Sequence, residues 1–277
     1  MKGKLHSVVA LLRKSAVLRS TSYLASMVGV LATSSVVHRR YAAGTADHVH
    51  PIAFPGVVGI TYLFARLRPA DTVGWNRTPS RHDYAELAAG LTLGAAAISG
   101  ILSIERALGW LSAPTWGWHN GIKPGTVIIV AVLTTAQEVP LIIDEELVFR
   151  GYGLDALRDA YGLPVAVVLS TLLYARYHGP GWRNLLGLSA FGLFLALLRL
   201  RTGSLWLPVG THLAWNLMQT AVFGPAEGTP SLRPLRVHGP AQWVGTPSTA
   251  EWGWFGVLAA TALAALAGAE LWRHQAA

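Results

Sequence analysis

The sequence predicts an all-α fold, a polytopic transmembrane helical bundle of about eight helices. Three observations carry that expectation. Only 13% of the 277 residues are charged and 52% are hydrophobic, whereas an ordinary soluble domain carries about 25% charged residues. Several apolar runs approach the ~20 residues that a helix needs to cross a bilayer. These runs are continuous and not alternating, which suits helices and not the strands of a closed barrel.

In chain order the runs fall at 23–37, 52–66, 84–103, 126–143, 163–177, 184–200, 205–222 and 253–271. The run at 52–66 is the weakest, because Pro55 interrupts a short segment. Trp110, Trp116, Trp118, Trp206, Trp252 and Trp254 stand near run ends, where interfacial anchors belong. The basic N-terminus, MKGKLHSVVALLRKSAVLRS, lacks a small-residue cleavage site and reads as an uncleaved signal anchor. Residues 223–251 read as an irregular loop outside the membrane. We expect a basic N-terminal region with the first membrane helices over 1–83, then a core over 84–277 whose polar motifs lie at 145–216. For an even number of spans, the Lys and Arg bias places both termini in the cytoplasm. The net charge of +8 is assigned to topology and to membrane lipids with anionic headgroups. Nucleic acid is not expected, since neither an aromatic–basic RNA platform nor zinc-finger spacing is present. The absence of cysteine excludes disulfides, thiolate metal sites and a cysteine nucleophile.

The chemistry concentrates in three places. The stretch LIIDEELVFRGYG (141–153) follows an apolar run, and Glu138, Asp144, Glu145 and Glu146 together hold four of the chain's 14 acidic residues. Charges near a membrane core are costly and normally face a cavity or a partner. On a helix Glu146 and Arg150 stand four apart and can pair, while Glu145 points to a neighbouring face. Crowded carboxylates repel, which raises the pKa of one of them and makes it a better base toward water. The plainer alternative is a solvated interfacial charge cluster at the end of a transmembrane helix. The eight-run count itself ends a helix at Ile143 and leaves 145–158 as a separate amphipathic arm. Either the chain breaks at Pro140 and the arm lines a water-filled cavity, which is the expectation taken here, or the arm lies across the interface.

In LLYARYHGPGW, Tyr174 and His178 share a helical face before Gly179–Pro180 stops the helix. A histidine there is also a common C-cap. Tyr161–Gly162–Leu163–Pro164 reads as a turn, with Glu145 sixteen residues before Tyr161 and His178 seventeen after it. At 1.5 Å rise per residue both sit roughly 25 Å from the turn, at similar depth on antiparallel neighbours. In GTHLAWNLMQ, His212 and Asn216 share a face inside an apolar helix. Both donate hydrogen bonds, which suits a developing oxyanion, although polar pairs also bridge helices within membrane bundles.

The ordered triple EELVFRG (145–151), YARYH (174–178) and HLAWN (212–216) resembles the CAAX protease and bacteriocin-processing family of intramembrane endopeptidases, also called the abortive-infection family. The motifs of that family are Glu-Glu-x-x-x-Arg, then Phe-x-x-x-His, then His-x-x-x-Asn or Asp. Tyr174 stands where the family usually has Phe, a change that preserves packing and adds a hydroxyl. The resemblance covers about residues 126–222. It implies that Glu145 activates water with help from His178, that His212 and Asn216 stabilise the oxyanion, and that Glu146 with Arg150 braces the site. Asp144 is left as a bystander. It further implies an intramembrane protease core in which a conical or buried polar cavity admits the water that hydrolysis needs. The substrate would be a protein or peptide, lipid-modified in the relatives that gave the family its name.

No cofactor is favoured. Zinc held by Glu146, His178 and His212 is the alternative, but HExxH is absent and neither histidine has a second histidine at ligand spacing. The rival to an enzyme is a non-enzymatic multi-pass membrane protein, a proton-coupled transporter or a scaffold with the same fold.

Overall fold

The computed structural model describes residues 2–41, 50–68, 78–113, 116–120, 122–179, 181–224, 230–245 and 253–276. Their fold is all-α apart from one antiparallel strand pair, β1 (Leu111–Ser112) with β2 (Arg236–Val237), in which Leu111 faces Val237. The helices are α1 (Lys2–Lys14), α2 (Ala16–Tyr41), α3 (His50–Ala65), α4 (Arg81–Ala107), α5 (Pro124–Glu146), α6 (Tyr152–Tyr161), α7 (Leu163–Tyr177), α8 (Trp182–Thr202), α9 (Trp206–Leu217), α10 (Ala241–Val244) and α11 (Trp254–Ala276). All eight apolar runs fold as helices. Among the described residues four stretches are long and apolar enough to cross a membrane: Arg81–Ala107, Pro124–Tyr161, Leu185–Thr202 and Trp254–Arg273. Ala53–Ala65 and Leu163–Tyr177 are shorter apolar helices. On α5, Ile128, Ile129, Val132 and Leu133 repeat at helical spacing and are all exposed, the stripe that a helix offers to lipid. Together these features describe a multi-pass membrane protein. Within the expected loop 223–251, β2 and α10 form, while 225–229 and 246–251 lie outside the described residues, as does the anchor Trp252.

The expected end of the helix at Ile143 is overturned. The helix runs through Pro140 to Glu146, makes a π turn over Leu147–Gly151 and continues as α6, giving a 38-residue helical stretch. A proline forfeits one backbone hydrogen bond, but its neighbours keep theirs where no water offers an alternative. The residues that argued for an exit from the apolar run, Asp144, Glu145, Glu146 and Arg150, are all buried. The expected turn at Tyr161–Pro164 is present. Gly162 takes φ 81°, open to glycine at little cost, and α7 starts at the next residue.

The chain divides into two compact units, Met1–Thr78 with Pro140–Leu173, and Pro79–Val139 with Tyr174–Ala277. In the first, α2 packs on α3 and on α6. Tyr23 of α2 is fully buried, sits 4.5 Å from the Tyr152 ring and hydrogen-bonds through its hydroxyl to Thr61 Oγ1 of α3 at 3.0 Å. Around this aromatic contact lies an ionic clasp. Arg68 grips Asp159 with Nε and Nη2, both at 2.8 Å, and reaches Asp155 with Nη1 at 3.2 Å. Arg19 of α2 adds an Nη2 bond to Asp159 at 3.0 Å. Burial works against the charge on Arg68, yet the two aspartates hold its pKa above the ordinary arginine value. The N-terminal helices thus hold the segment that directly follows EELVFRG. Arg68→Ala should cost about 1–3 kcal/mol of stability, because charged hydrogen bonds are lost. Arg68→Lys should recover only part of that, since an ammonium lacks the fork. Melting curves of the three proteins in one detergent check this.

In the second unit, α4 begins with a capping box. Ser80 Oγ accepts from Asp83 N at 3.3 Å, and Asp83 Oδ2 accepts from Ser80 N at 2.6 Å. Helices α4 and α9 then cross with their backbones in contact. A Cβ added at Gly90 would stand 2.3 Å from the carbonyl oxygen of Leu207, one at Gly94 2.1 Å from that of Thr211, and one at Gly210 2.4 Å from that of Leu87. Small residues allow such approach between membrane helices, and here it fixes the helix that carries His212 and Asn216. Helix α11 packs along α8, and Trp110 lies against Trp243 and Phe255.

Candidate active site

The two parts of the motif set fall in different units and are described in turn. In the first unit, Glu146 Oε1 accepts from Arg150 Nη1 at 3.0 Å, and neither side chain has any exposed surface. This is the pair expected at four-residue spacing. It spans the π turn, which widens the helix by one residue where LVFRG follows the glutamates. π turns are rare and recur at functional sites, where the extra residue re-aims side chains. Ser170 of α7 donates to the Phe149 carbonyl within that turn. Glu145 is buried on the same stretch. Asp144 is also buried, and neither of its oxygens has a hydrogen-bond partner among the described residues.

In the second unit the structure brings Tyr174, His178 and His212 together. The Tyr174 ring stands 4.6 Å from the His178 ring and 5.9 Å from the His212 ring. Its hydroxyl, the atom by which this chain departs from Phe, lies 3.4 Å from His212 Nε2, long for a hydrogen bond. Tyr174 and His212 are buried, and Phe191 of α8 presents its ring 5.3 Å from His212. His178 sits just past the end of α7 with Nδ1 2.9 Å from the Tyr174 carbonyl. A carbonyl only accepts, so Nδ1 carries the proton and Nε2 is the basic nitrogen of the neutral ring. The C-capping geometry offered as the plain reading is therefore present.

Asn216 follows His212 by one turn and donates from Nδ2 to Glu138 Oε2 of α5 at 3.1 Å. A second π turn, Met218–Val222, begins two residues after Asn216. Sequence reasoning counted Glu138 among the acids but gave it no role, and the π turns left no signal it could read. The one available signal for Glu138 was a carboxylate inside an apolar run.

Comparison with known proteins now bears on these motifs. Residues 121–218 match the family described as Rce1-like, type II CAAX prenyl endopeptidase Rce1-like. The chain carries an Rce1-like domain. That domain contains all three motifs and agrees with the resemblance drawn over 126–222. No curated protein and no solved structure matches the chain at a significant level. The alternative zinc set divides between the units, Glu146 in the first and His178 with His212 in the second. Among the described residues no three of His, Asp and Glu gather around a common point. Glu146 is paired with Arg150, and His178 Nδ1 is bonded to the Tyr174 carbonyl.

Proposed function

We propose that this chain is a membrane-embedded endopeptidase that hydrolyses a peptide bond of a membrane-associated, prenylated protein or peptide. The observation that carries the reading is the α9 face inside the Rce1-like domain. It holds a buried imidazole and, one turn on, a carboxamide, within an apolar bundle where such donors act on charge with little competition from water. A proton-relay transporter would need the histidines and carboxylates but not Asn216.

In this reading Glu145 takes a proton as the water oxygen attacks the scissile carbonyl carbon, with His178 assisting. The carbonyl electrons move onto oxygen, and His212 and Asn216 donate to that oxyanion. The C–N bond then breaks as its nitrogen receives the proton held by Glu145. The Glu146–Arg150 pair holds a second carboxylate in place next to the base in sequence.

The test uses wild type and Glu145→Gln in lipid nanodiscs, with a quenched fluorescent peptide ending in a farnesylated CAAX sequence. Loss of a general base lowers the rate by ~10²–10⁴-fold. Equal cleavage by both proteins would overturn the assignment. In this reading Glu145 activates water without a metal, so strong chelators should leave the wild-type rate unchanged. A rate abolished by chelator and restored by zinc would contradict that.

A further inference from the structure

We infer that Glu138 is a positioning residue that sets the orientation of the Asn216 carboxamide. This rests on the endopeptidase reading and names a residue that none of the three motifs contains. Glu138 lies on α5, is 8% exposed and accepts from Asn216 Nδ2 at 3.1 Å. The two residues are 78 positions apart, so the contact is made by the fold and not by local sequence.

A carboxamide has two faces that exchange by a half-turn about its last bond, one presenting oxygen and the other two N–H groups. Only the second stabilises an oxyanion. An ionised carboxylate accepts and cannot donate, so Glu138 admits the amide side of Asn216 and rejects its oxygen. The two amide hydrogens diverge in the amide plane. With one held by Glu138, the other points away from the carboxylate and remains available to a developing negative charge. Since the donor is then oriented before the reaction begins, no reorganisation is needed when charge develops. His212, one turn earlier on α9, supplies the second donor from the same helix.

A double-mutant cycle tests this in nanodiscs with the farnesylated peptide probe. Asn216→Ala should lower kcat by ~10²–10³-fold, as loss of one oxyanion donor does. Glu138→Ala should lower kcat by roughly 10–100-fold with KM little changed, because the donor is kept but misaimed. Glu138→Gln, which can accept the same bond but can also flip and donate to the Asn216 oxygen, should recover only part of the loss. The decisive term is the double variant, which should be no slower than Asn216→Ala alone. Fully multiplicative losses would overturn the proposal, as would a Glu138→Ala enzyme with normal kcat. In either case cleavage that still depends on Glu145 leaves the endopeptidase reading standing. A wild type inert toward the probe, and whose Glu145→Gln form accumulates no uncleaved peptide in cells, overturns both.

Discussion

Arg150→Ala is expected to be among the most damaging single substitutions in the chain. It removes the guanidinium that binds Glu146 Oε1, and both side chains are fully buried in the helical stretch that carries the first motif. Building such a pair contributes little net stability, since desolvating two charges offsets most of their attraction. Removing one member is different, because it strands the other charge without water, at a cost of about 3–5 kcal/mol. Folded proteins are stable by only ~5–15 kcal/mol, so a loss of this size should show as poor yield and a strongly lowered melting temperature. Glu146→Gln with Arg150→Met removes both charges and should recover much of the loss without recovering activity. If Arg150→Ala melted like wild type, the brace assigned to this pair would be wrong.

Gly94→Leu should be comparably severe by a purely steric route. At Gly94 even a methyl group would meet the Thr211 carbonyl oxygen at 2.1 Å and the Thr211 Cα at 3.0 Å. These are backbone atoms, so no rotamer change relieves the overlap and the two helices must separate. Overpacking of this kind costs about 1–3 kcal/mol or more. The displaced segment also carries His212, the residue after Thr211, and a shift near 1 Å at a reacting group can cost ~10²-fold in rate. Gly94→Ala should therefore already lose activity before it loses the fold. Gly100, on the same helix, has nothing within 4 Å of an added Cβ. Gly100→Ala should be neutral or slightly stabilising, by up to about 1 kcal/mol. Melting temperature and cleavage rate measured on the three variants separate packing from mere loss of glycine.

The helices were legible because hydrophobicity in a membrane chain is a local property, and each apolar run became a helix. The Glu146–Arg150 pair and the shared face of His212 and Asn216 were legible for a similar reason, since four-residue spacing decides both. Long-range contacts were not. Nothing in the sequence ties Arg19 to Asp159 or Glu138 to Asn216, which lie 140 and 78 residues apart. The spacing Gly90–Leu–Thr–Leu–Gly94 hints at a close helix crossing, but not that Gly210 and Thr211 stand opposite. The π turns escaped because an i→i+5 register is chosen by packing around the turn and not by its residues. The misjudged helix end at Ile143 has the same origin. Three acids argue locally for an exit from the apolar environment, whereas the fold buries them and gives Glu146 a cation one turn on.

The central claim, that Glu145 is the base of a peptidase acting on membrane-associated chains, is tested most directly in cells. Wild-type and Glu145→Gln strains would be compared by mass spectrometry of protein and peptide termini in the membrane fraction. The account predicts at least one membrane-associated polypeptide that is shortened in wild type and accumulates full length in the variant, and whose purified form is cleaved by wild type in nanodiscs. Identical termini in the two strains, with the variant protein present at wild-type levels, would contradict it.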